Sequence, residues 1–82
     1  MKARIVVRLR PGVLDPQGTT IRRALEGLGF PEVQELRVGK LLELTLDETD
    51  PARARARLDE MCRKLLANPV IEDYVCELED TR

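Results

Sequence analysis

Hydrophobic and polar positions alternate over residues 3–9, ARIVVRL, with Val6 the one apolar residue among the polar positions. Ile5, Val7 and Leu9 share one face, and Arg4, Val6 and Arg8 share the other, which predicts a half-buried β-strand. Pro11 and Gly12 end it. After Asp15-Pro16 the period becomes helical. The aspartate offers its carboxylate to an orphan amide, and proline at the first helical position lacks the amide that would go unpaired. Ile21, Leu25 and Leu28 form the apolar stripe, with Ala24 beside them and Gln17 on the same stripe four residues before Ile21. Gly29 and Pro31 supply a left-handed cap and a stop.

Val33–Val38 and Leu42–Leu46 alternate on either side of Gly39-Lys40, which predicts two strands. A two-residue loop would leave Leu36 and Val38 on the face opposite Leu42, Leu44 and Leu46. An odd-length turn, or a one-residue bulge at the glycine, brings all five to one face and is the predicted connection. Asp50-Pro51 repeats the cap-plus-proline device. Ala54, Leu58, Met61 and Leu65 then recur at spacings of 4, 3 and 4, flanked by Cys62 and Leu66. The outer face of this helix sets Asp59 against Arg63 and Glu60 against Lys64. Arg53, Arg55 and Arg57 read as solvated. Asn68-Pro69 stops the helix, and residues 71–78 form a last strand with Tyr74, Cys76 and Leu78 on one face.

The order β-α-β-β-α-β is the split βαβ pattern of a ferredoxin-like α+β domain, with two helices on one face of an antiparallel sheet. At this length one domain spans residues 1–82. The other sheet face would carry Val6, Leu41, Ile71 and Val75 among Arg4, Arg8, Glu43 and Asp73. Four apolar residues on one open face imply cover by another subunit.

Composition then narrows the chemistry. The 14 basic and 15 acidic residues leave a net charge of -1, which is no electrostatic footprint for nucleic acid. One Phe and one Tyr make no stacking platform. No apolar run approaches a membrane span, and no signal peptide is expected. The chain has no histidine, which removes His-based acid–base work and His ligation of metals. Cys62 and Cys76 form neither a CxxC nor a metal spacing. They read as free thiols of a reducing compartment, with a single disulfide as the alternative. The loop PGVLDPQG lacks a Walker lysine, and its glycine spacing does not match GxGxxG. No nucleophile has a base beside it. These residues describe a binding or assembly module.

RPGVLDPQGTTIRRALEGLGF, then VQELRVGKLLEL, then MCRKLLANPVIEDYVCEL together resemble the PurS family, the small subunits of phosphoribosylformylglycinamidine synthase. The likeness runs from Arg4 to Leu78. It implies a role in the fourth step of de novo purine synthesis, in which formylglycinamide ribonucleotide, glutamine and ATP become formylglycinamidine ribonucleotide, glutamate, ADP and phosphate. It implies a cytoplasmic, non-catalytic subunit of a carbon–nitrogen ligase. Such a subunit bridges a PurQ-type glutaminase and a PurL-type synthetase, supports ammonia transfer, and associates with itself as a dimer or tetramer. The subunit would bind no cofactor, ATP and magnesium belonging to the complex. Candidate subunit contacts are Val13, Leu14, Asp15 and Gln17 in the first loop, and Asn68, Pro69, Glu72 and Tyr74 in the second. The rival reading is an ACT-like regulatory domain that pairs through its sheet and binds amino acids at the interface, where Gln17 and Asn68 would be ligand groups. An acylphosphatase-like hydrolase of the same topology would want an arginine in the first loop poised for phosphate, which Arg10 could supply, and an asparagine on the open sheet, whereas Asn68, the one asparagine, lies at a helix end.

Overall fold

The computed structural model describes residues 1–79. Three strands, β1 (Lys2–Leu9), β2 (Gly39–Thr45) and β3 (Glu72–Glu79), form an antiparallel sheet in the order β2-β1-β3. The helices are α1 (Pro16–Gly27) and α2 (Pro51–Met61), and a π-helical turn at Cys62–Leu66 continues α2. Asp15 and Asp50 cap the two helices through Gly18 and Ala52, each followed by its proline. Gly29 takes the left-handed conformation assigned to it (φ +99°).

The α+β class and the antiparallel sheet follow the sequence reading, but the element order is β-α-β-α-β. Residues 33–38 form no strand and lie outside the sheet, so the predicted hairpin and its odd-length turn are replaced by a strap leading into β2. The cause is local. The Val38 amide, which a ladder would need, donates to the Asp15 carboxylate at 2.7 Å.

The register explains the core. Ile5 lies opposite Leu42 on one side and Cys76 on the other, and Ala3 lies between Leu44 and Leu78. Period 2 therefore puts Ala3, Ile5 and Val7 on the face that α2 covers. Ala54, Leu58 and Cys62 descend onto it and are fully buried. Leu44, Met61, Leu66 and Tyr74 fill the margins. On the opposite face Leu41, Val6 and Val75 stand side by side, with Arg4 between Glu43 and Glu77. Ile71, expected on this face, belongs instead to the turn before β3.

The two helices do not share the sheet. Only α2 covers it. The stripe of α1 stays open, with Leu28 73% exposed and Ile21 and Phe30 also exposed. Gln17, read as part of a buried stripe, is exposed as well. The chain is correspondingly flat, 49 × 30 × 14 Å. Its radius of gyration is 16.3 Å, against about 12 Å for a compact domain of this length. Its accessible surface is 6329 Å², against roughly 5,000 Å² for a globular monomer of this mass. The excess exceeds the roughly 800 Å² that one partner contributes to a standard interface.

Candidate subunit-docking surface

β1 leaves the sheet at the end where β2 and β3 enter it, so three connections meet there: residues 10–15, 36–39 and 67–72. The first opens with a tight turn. Pro11 and Gly12 occupy its centre, Gly12 has φ +88°, and the Val13 amide donates to the Arg10 carbonyl at 3.1 Å. Proline followed by a left-handed glycine is what a type II turn requires.

Arg10 knots the first connection to the third. Its amide donates to the Ile71 carbonyl at 2.8 Å, and its guanidinium donates to the Pro69 carbonyl and pairs with Asp73 at 3.5 Å. Arg37 joins the second connection by donating to the Arg10 carbonyl at 3.2 Å. A depression of about 660 Å³ opens beside this knot, with Arg8, Pro11, Glu35, Arg37 and Lys40 among its lining residues.

Asp15 is the buried clamp beneath. One carboxylate oxygen accepts from Gly18 at 2.9 Å, and the other accepts from Val38 at 2.7 Å. The Val38 amide first, then the Gly18 amide, hold the carboxyl below its ordinary range, with Arg37 adding to the effect and burial opposing it. The α1 helix can approach the strap this closely only because residue 18 is glycine. A Cβ there would stand 2.3 Å from the Leu36 carbonyl oxygen.

The third connection is organised by Asn68. Its side-chain oxygen accepts from Val70 at 3.1 Å, and its carbonyl accepts from Ile71 and Glu72 at 3.1 and 2.7 Å. Glu72 returns a carboxylate oxygen to the Asn68 amide at 2.7 Å and pairs with Lys40 at 3.8 Å. Tyr74 lies on the packed face and donates its hydroxyl to Asp59, which also holds Arg63 at 3.0 Å. The bond to Asp59, aided by burial, pushes the phenol up to about 12.

The eight candidates therefore divide. Asp15, Asn68 and Glu72 make bonds that hold the rim together, and Tyr74 ties β3 to α2 through Asp59. Leu14, 77% exposed, projects from it, as do Gln17 and Pro69, while Val13 is half-buried. The sequence reading gave Arg37 no role and weighed Arg10 only for the hydrolase rival, and the fold shows both on backbone carbonyls. Val70, not named among the candidates, is 80% exposed in the same Asn68–Tyr74 segment. Among the described residues no three His, Cys, Asp or Glu side chains converge as a metal site would need. Among them, too, no helix is long and apolar enough to cross a membrane.

Residues 2–80 match the family model described as PurS, phosphoribosylformylglycinamidine (FGAM) synthase. The chain belongs to the PurS family. Its similarity to the PurS subunit of Synechocystis is 52% identity over 75 residues, 92% of this chain and 75% of that protein. The solved Bacillus subtilis PurS superposes with a TM-score of 0.88 at 46% identity, covering 96% of this chain and 98% of the other. A chain of the solved Thermotoga maritima PurLQS superposes with a TM-score of 0.84 at 39% identity, covering 93% of each. As a PurS chain it is a subunit of FGAM synthase, a ligase of purine biosynthesis.

Proposed function

We propose that this PurS chain contributes surface to the ligase and no reacting groups. In this reading it bridges a PurL-type synthetase and a PurQ-type glutaminase in the cytoplasm, associates with further copies of itself, and leaves ATP and magnesium to the synthetase. The observation that carries the reading is the incomplete shape. The sheet is covered on one side only, the α1 stripe is open, and the surface exceeds that of a globular monomer by more than one interface half. The Thermotoga maritima PurLQS, which by its name joins PurL, PurQ and PurS, supports a three-way assembly. The knotted rim suits docking because its backbone is fixed before a partner arrives, so little ordering is left to oppose association.

The chemistry gives a reason for such a part. Ammonia released by a glutaminase is lost to solvent or protonated unless the two active sites are held together, and docking raises effective concentration without any catalytic group. The test is reconstitution. With this chain present, glutamine-dependent turnover by the synthetase and glutaminase is expected. Without it, that turnover falls while ammonia-dependent turnover persists. Unchanged glutamine-dependent turnover in its absence would refute the bridging role.

A further inference from the structure

Cys62 and Cys76 meet across the packed face of the sheet, their sulfurs 4.0 Å apart. Cys62 is fully buried at the first residue of the π-helical turn, and Cys76 is half-buried on β3, directly beside Ile5 of β1. Both are free thiols, and the docking role uses neither. We infer that Cys62 and Cys76 form a redox modification site, an intramolecular disulfide made by exchange with a low-molecular-weight disulfide and tying the π-helical turn to β3.

The geometry leaves a short distance to close. A disulfide holds its sulfurs at about 2.05 Å, so roughly 2 Å of approach is needed. Both ends have room to give. β3 is an edge strand, bonded only to β1, so a small shift of Cys76 disturbs one ladder. Cys62 lies where the helix changes from α to π bonding, its carbonyl accepting from Ala67 at 3.0 Å. Local irregularity of this kind absorbs backbone adjustment more easily than a regular turn.

The exchange balances. The more exposed Cys76 thiolate attacks one sulfur of the small disulfide. That S–S bond breaks, and the first small thiol leaves carrying the electron pair and picks up a proton. The Cys62 thiolate then attacks the Cys76 sulfur of the mixed disulfide and expels the second small thiol. Two protein thiols are oxidised and one small disulfide is reduced. Burial, with Cys76 adding to it, pushes the Cys62 thiol up to about 11. The closing step therefore runs slowly at neutral pH and faster as pH rises. A slow closing step sets this staple apart from a rapid sensor. The loop it closes contains Ala67 and the Asn68-centred turn, the third connection of the rim.

The test uses the full chain as purified, equilibrated with oxidised and reduced glutathione over a range of ratios. Each sample is then alkylated, weighed intact, peptide-mapped and melted. The expected result is loss of two hydrogens per chain and a link between the Cys62 and Cys76 peptides. The protein should remain un-crosslinked on a non-reducing gel, with a Tm raised by roughly 10 °C and restored by reductant. Cys76→Val should lose both the mass change and the Tm rise. A persistent glutathione adduct on Cys76, a covalent dimer, or full alkylation at every ratio would each overturn the site. A bond that forms without raising Tm would overturn the staple.

Discussion

Alanine at Gly18 and alanine at Gly27 should move stability in opposite directions, although both replace a glycine of α1. In a free helix each gains up to about 1 kcal/mol. At Gly27 a Cβ meets nothing within 4 Å and the backbone is not left-handed, so that gain is kept. At Gly18 the Cβ would stand 2.3 Å from the Leu36 carbonyl oxygen and 2.9 Å from the Asp15 carboxylate. That is about 1 Å inside ordinary contact. Neither neighbour moves freely, since the Asp15 carboxylate holds Gly18 and Val38 at once. Forcing such a site apart costs about 1–3 kcal/mol, which outweighs the helical gain. The net loss of about 1–2 kcal/mol corresponds to a Tm lowered by roughly 5–15 °C in a chain of this size. Urea and thermal melts followed by circular dichroism measure it. Protein concentration must be fixed, because self-association shifts Tm by mass action. A Gly18→Ala variant as stable as wild type would refute the close approach of α1 to the strap.

Leu58→Ala removes a fully buried side chain above Ile5 and Val7 and should cost about 2–5 kcal/mol in urea titrations. Leu14→Ala should leave the Tm unchanged, because the side chain is already 77% exposed, while weakening co-purification with the synthetase and glutaminase; an early melt with normal assembly would make the loop merely structural. Asp15 has a carboxyl lowered by its folded contacts. Its contribution is full above the ordinary carboxylate value of about 3.9 and is lost as pH falls through the lower folded value. Wild type and Asp15→Asn should therefore differ most near neutrality and converge in acid, and a gap that widens in acid would contradict the assignment. Tyr74 is the one tyrosine, and the chain has no tryptophan, so its titration is clean in near-UV absorbance. The native midpoint should lie near 12 and fall to about 10 in denaturant. The stability tied to this phenol is present below the denaturant value and lost as pH rises through the native one.

Most of the core was readable because period and burial coincide there. The alternation of β1 and β3, and Ala54, Leu58 and Met61 at spacings of 4 and 3, describe elements that pack on their own chain. Leu65, placed on that stripe by the next step of 4, is instead 83% exposed, because the π-helical turn at Cys62–Leu66 breaks the α period and Cys62 takes the buried position. The other errors fall where packing is missing. VQELRV alternates as a strand does, but alternation reports extended backbone, not a pairing partner. Asp15 takes the Val38 amide instead. Gln17 shares a stripe with Ile21, yet among the described residues no element packs over that stripe. At the rim, Asp15, Asn68 and Tyr74 carried visible signals, as a cap, a stop and a strand residue. The Asn68 turn bonds stay within four residues, whereas the bonds of Asp15 to Val38 and of Tyr74 to Asp59 join distant positions and leave no mark in local sequence. Arg10 and Arg37 were illegible for the same reason.

The central position of β1 also dictates when this chain can fold. β1 is synthesised first, yet its two neighbours are β2 and β3, and the last register pair closes Lys2 against Glu79. On the ribosome ARIVVRL must wait for nearly the whole chain before its second ladder exists. Helix formation at α1 and α2 can precede it, but the sheet is completed only once β3 is available, through contacts between segments far apart in the sequence. Such non-local closure slows folding. A nascent chain stopped before Glu72 would present Ile5 and Val7 on an unfinished edge, where strand-to-strand aggregation competes with folding.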